Sequence, residues 1–131
     1  MPADPCTYDY AIVRVVPRVE RGEFVNVGVI LSSAERGVLQ ARIEVDEARL
    51  RALDPALDLA AIRAALDSIP AVCAGGAAAG AIGRLSLRER FHWLVAPRSS
   101  SVQTSAVHSG RCHDLDQTLE HLMARMVRAP T

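Results

Sequence analysis

The sequence predicts an α+β fold, an antiparallel sheet of about five strands with helices packed on one face. Three observations carry this reading. Two apolar runs flank a charged turn at 17–23, the form of a β-hairpin. Helical apolar stripes follow capping residues at Asp46, Asp58 and Asp114. Hairpins come before helices, without the βα alternation of a parallel sheet.

Tyr8–Val16 is apolar on both alternating faces apart from Asp9 and Arg14, so it reads as a strand covered on both sides. In Phe24–Leu31 the odd positions Val25, Val27, Val29 and Leu31 are apolar, whereas the even positions run Phe24, Asn26, Gly28, Ile30. One face is core and the other is partly polar and indented at Gly28. In Val38–Val45, Leu39, Ala41, Ile43 and Val45 alternate with Gln40, Arg42 and Glu44, giving a buried and a wet face and completing a three-strand meander.

Asp46 caps a short helix with Leu50 and Leu53 inward, which Asp54-Pro55 ends. Asp58 caps a longer one whose stripe is Leu59, Ile62, Leu66 and Ile69. The Ala/Gly run Ala74–Gly83 specifies no packing and reads as a mobile surface loop. Ser86-Leu87-Arg88-Glu89 has the form of a capping box for one helical turn. A fourth strand is expected at Phe91–Val95, with Phe91, Trp93 and Val95 inward and Trp93 a core anchor, and Pro97 stops it. Arg98–Ser101 turns the chain into a polar fifth strand, Val102–Val107, which completes a C-terminal hairpin. Asp114, with Gln117 completing a capping box, starts a last helix with the stripe Leu115, Leu119, Leu122, Met126.

At 131 residues the chain is expected to form a single domain spanning 1–131. Hydrophobic residues make up 50% but aromatics only 4%, so the core is aliphatic. Fifteen basic residues balance fifteen acidic ones, which removes the broad positive field used in nucleic-acid and anionic-membrane binding. All fifteen are Arg, beside 21 alanines, a bias that reads as codon usage; with no Lys, Schiff-base and phosphate-loop chemistry are excluded. Cys6, Cys73 and Cys112 are odd in number and widely spaced, which fits a reducing cytosol, and the N-terminus lacks signal-peptide character. No apolar run is long enough to span a membrane.

Two constellations could carry chemistry. A hairpin turn near Glu20 or Arg21 brings Arg14 across from Asn26 or Gly28, where a guanidinium and an amide beside a missing side chain suit a carboxylate or phosphate. The bland reading pairs Arg14 with Glu23 or Asp9. The second is the segment 90–110, in which Arg90, Arg98, Gln103, Ser105 and His108 concentrate hydrogen-bonding groups around a serine-rich turn; its bland reading is a solvated polar edge. His108, Cys112 and His113 match no zinc spacing, and Cys112 with His108 is a thin case for a nucleophile. There is no nucleophile elbow and no cofactor motif.

The strings YDYAIVRVVPR at 8–18, ERGEFVNVGV at 20–29 and RFHWLVAPRS at 90–99, with Gln103, Thr104 and Ser105, resemble the bacterial family catalogued as domain of unknown function 3037. The resemblance covers about Tyr8 to Val127. It lends no activity or catalytic residues, but it implies an accessory role beside a HipA-like kinase.

The expected function is a non-enzymatic, cytosolic module that binds a partner protein, such as a HipA-like kinase, or a small anionic or phosphorylated ligand. Arg14, Glu23, Asn26, Arg90, Arg98, Gln103, Ser105 and His108 are the candidate site residues. The alternative is a small hydrolase- or nuclease-like enzyme with His92 or His108 as base and an Arg stabilising the anion. Homodimerisation through the polar edge strand or the wet face of Val38–Val45 is a further expectation.

Overall fold

The computed structural model describes residues 4–130. Its strands are β1 (Cys6–Val15), β2 (Val25–Ser33), β3 (Val38–Ile43), β4 (Val102–Thr104) and β5 (His108–Cys112). The helices are α1 (Glu47–Leu53), α2 (Leu59–Ala74), α3 (Leu87–Leu94) and α4 (Leu115–Leu122), the last running into a π-helical turn at Met123–Val127. The sheet is antiparallel with order β3-β2-β1-β4, and β5 also pairs with β1, so the class is α+β with five strands as expected. β2 extends past Leu31 through Ser32 and Ser33, both buried.

β1 and β2 supply side chains to two apolar clusters because successive strand residues point to opposite faces. Val13, Val15, Val25, Val27 and Ile30 join Leu50, Ile62, Leu66, Ile69, Phe91 and Leu94, so α1, α2 and α3 lie together on one face. Ile12, Val29 and Leu31 join Leu119, Leu122, Met123 and Val127 of the C-terminal helix. This double cover explains why Tyr8–Val16 is apolar at nearly every position. Among the described residues no helix is long and apolar enough to cross a membrane.

The fourth strand expected at Phe91–Val95 is instead the body of α3. Ser86 and Glu89 form a full capping box, and the helix it starts runs on through Leu94. Leu87, Phe91 and Leu94 fall at helical spacing on its buried side, while the alternation of Phe91, Trp93 and Val95 is incidental. Trp93 is accordingly 40% exposed and is not a core anchor.

Five strands are reached because the chain from Val102 to Cys112 makes two short strands along the same edge of β1. β4 pairs Val13, Arg14 and Val15 with Thr104, Gln103 and Val102; β5 pairs Cys6–Tyr10 with Cys112–His108. At the break, Ser105 Oγ accepts from the Ile12 amide at 2.8 Å and the Ser105 amide donates to the Ile12 carbonyl. The hydroxyl thus stands in for a ladder carbonyl where the pairing shifts.

Ala74–Gly83, expected as an unstructured loop, folds into two 3-10 turns, with the Gly76 amide donating to the Gly83 carbonyl at 2.9 Å and Gly83 buried. In the last helix the π-helical turn adds a residue per turn, so Met123 and Val127 are buried and Met126 is 39% exposed, contrary to the regular stripe. Beyond it, Arg128 is gripped by Glu44 and Glu120, and Arg42 also reaches Glu120.

Two measurements check this packing. Hydrogen bonding from Arg128 holds the Glu44 and Glu120 carboxyls below their ordinary 4.5. Carboxyls depressed in the folded state contribute stability above pH 4.5 that fades as the pH falls through their folded values. Arg128→Gln is therefore expected to flatten the acid limb of a stability-against-pH curve by lowering stability at pH 7 and leaving it unchanged at the acid end, the loss being small because the groups are exposed and screened. A Cβ at Gly28 would lie 2.5 Å from the Arg42 carbonyl oxygen and 2.6 Å from Ile43 Cδ1. Gly28→Ala is expected to cost about 1–3 kcal/mol in urea unfolding through overpacking.

Candidate functional site

The pairing of β1 with β2 decides what can form around Arg14. From Asp9↔Ser32 to Val13↔Gly28 the register is regular; it then slips, and Arg14 faces Asn26. Val27 is the extra residue of this bulge. It turns inward to the core with Val25, leaving Asn26 on the face of Arg14. On its other side Arg14 faces Gln103 of β4, so guanidinium, amide and amide form a row across three strands.

The bulge also separates Gly28 from this row. Gly28 pairs with Val13 and with Ile43, on the core face, and Ile43 Cδ1 and the Arg42 carbonyl fill the space a side chain would take. The expected hollow beside Arg14 is therefore absent, and the glycine serves close approach of β3.

Within the row, the Arg14 guanidinium carbon sits 4.1 Å from the centre of the Phe24 ring, which is 45% exposed. Asn26 Nδ2 donates to the Met126 carbonyl at 2.9 Å. Arg14 Nε and Asn26 Oδ1 are buried without a hydrogen-bond partner among the described residues. Neither Glu23 nor Asp9 neutralises Arg14. Glu23 pairs with Arg21 at 2.5 Å, and Asp9 accepts from the Ser109 hydroxyl at 2.5 Å. A half-buried guanidinium without a carboxylate, resting on an exposed aromatic ring, favours a carboxylate or phosphate brought from outside.

The remaining predicted residues do not join this row. Arg90 donates to the carbonyls of Val72 and Cys73 at 2.9 and 2.7 Å and to that of Leu85, closing the end of α2. Arg98 donates to the carbonyls of Leu94 and Trp93 at the end of α3 and stacks on the Trp93 ring at 4.7 Å. It borders a small, mostly apolar pocket of about 190 Å³ with Ile69, Leu94, Val102 and Gln103. Ser105 serves the strand ladder, and His108 lies 5.4 Å from the Tyr10 ring. Sequence spacing could not separate these helix-capping arginines from ligand-binding ones, because both tasks use a fork of donors aimed at oxygens.

Cys73 is buried and its thiol is pushed up to about 11 by desolvation, partly offset by Arg90, so it is a packing residue. Cys6 and Cys112 are free and face each other across β1 and β5. A second cleft, of about 320 Å³, was not legible in the sequence because it joins β1, β2 and α3. Asp9, Ser32, Ala34, Arg88, Phe91 and His92 line it.

Arg90 and Arg14 differ in how much of the fold depends on them. Arg90→Ala removes the guanidinium bonds to the Cys73 and Leu85 carbonyls and one of two bonds to the Val72 carbonyl, which keeps the Gly75 amide, and is expected to cost about 1.5–3 kcal/mol in denaturant unfolding. Arg14→Ala gives up one ring contact and removes an unpartnered buried nitrogen, with an expected change of about 1 kcal/mol or less.

The family model for a protein of unknown function, DUF3037, matches residues 10–127. No curated protein matches the chain. No solved structure matches it.

Proposed function

The chain belongs to the DUF3037 family, and on that footing we propose that it is a non-enzymatic cytoplasmic module that binds a partner protein through the surface around Arg14. The partner presents a carboxylate or phosphate group to the guanidinium while Phe24 and Met126 give apolar contact. One observation carries the reading: Arg14 has no acidic partner among the described residues and rests on the exposed Phe24 ring, while the neighbouring Asn26 holds the backbone carbonyl of the exposed Met126. Aromatic, Met and Arg residues are the types enriched at the centres of protein interfaces. A HipA-like kinase is the partner the family resemblance implies, and its acidic or phosphorylated segments would meet the requirement.

Co-expression with a HipA-like kinase from the same genome tests the proposal. A stable complex is expected that Arg14→Ala and Phe24→Ala each weaken at least tenfold in a binding titration, with circular dichroism unchanged. A complex indifferent to both variants, or no complex together with no response of the Arg14 resonances to inorganic phosphate, contradicts it. A dimer of this chain alone that Arg14→Ala disrupts would make a second copy the partner.

A further inference from the structure

From the second cleft we propose a binding site for a small zwitterion, an α-amino acid, separate from the surface around Arg14. Opposite walls of the cleft carry opposite charge. Asp9 and Ser32 are paired neighbours on β1 and β2, while Arg88 and His92, four residues apart, lie one turn from each other along α3. Asp9 forms no ion pair with Arg88 or His92 among the described residues, so complementary charges face one cleft without bridging it. Among the described residues the Arg88 side chain has no hydrogen bond, the His92 ring has only a contact with the Phe91 ring 6.4 Å away, and the hydroxyl of Ser32, which lines the cleft, has no hydrogen-bond partner.

The Asp9 carboxylate is the best fixed of the four. One oxygen accepts from Ser109 at 2.5 Å, which orients the group and leaves the other oxygen as an acceptor. An ammonium group seated there donates to Asp9 and Ser32. A carboxylate on the neighbouring carbon turns toward the Arg88 fork and the His92 imidazole, geometry to which a guanidinium is suited. Phe91 and Ala34 leave an apolar wall for the side chain. A lone anion or a lone amine would satisfy only one wall and leave the other charge facing it.

The test is a two-dimensional NMR titration of the full chain with each of the twenty common L-amino acids, and with acetate and ethylamine as the two halves. At least one amino acid is expected to give saturable shifts at residues 9, 32, 88 and 92, with acetate and ethylamine each at least tenfold weaker. Arg88→Gln, on an exposed helix position, is expected to reduce affinity at least tenfold without altering the fold, as is Asp9→Asn, which retains an acceptor for Ser109. No saturable response to any amino acid, acetate binding as tightly as the best amino acid, or unchanged affinity in Arg88→Gln overturns the proposal. Should Asp9→Asn fail to fold, the Arg88 variant and the two half-ligands still decide.

Discussion

The bulge at Val27 is the constraint on which the rest of the arrangement depends. Without it Arg14 would face a valine and Asn26 would sit one position away. With it, Val25 and Val27 both reach the core under α1–α3, Asn26 meets Arg14, and Val29 and Leu31 enter the cluster beneath the C-terminal helix. One extra residue in one strand therefore lets a nearly continuous apolar sequence serve two packed faces and still present a polar pair at the sheet's end.

The C-terminal third of the chain responds to that geometry. β4 and β5 lie along one edge of β1 with a break bridged by Ser105, so the central strand is paired on both sides over most of its length. The π-helical turn aims the Met126 carbonyl at the Asn26 amide and exposes the Met126 side chain near the Arg14 row. Arg90 and Arg98, at the ends of α2 and α3, consume their donors on helix carbonyls, which leaves Arg14 the predicted arginine without such a partner. The recognition proposed for this molecule thus rests on which of the predicted guanidinium groups the fold leaves without a carbonyl or carboxylate partner among the described residues.

The meander, the two capped helices after it and the last helix were readable from period-two and period-3.6 patterns, because burial alone dictates those patterns. Other features were not, and three of them show why. Phe91-His92-Trp93-Leu94-Val95 satisfies both periods over so short a span, and the capping box at Ser86 decided for the helix. The place of Gly28 depended on a bulge, which parity counting along one strand cannot detect. The cleft of Asp9, Ser32, Arg88 and His92 unites residues from three distant segments, so no local motif announces it.

A nuclear Overhauser spectrum of the full chain tests the central claim most directly. The account predicts cross-strand contacts from Arg14 to Asn26 and to Gln103, with Val27 in contact with the core residues of α2. Contacts pairing Arg14 with Val27 in an unbroken ladder, and Asn26 turned away, would contradict it.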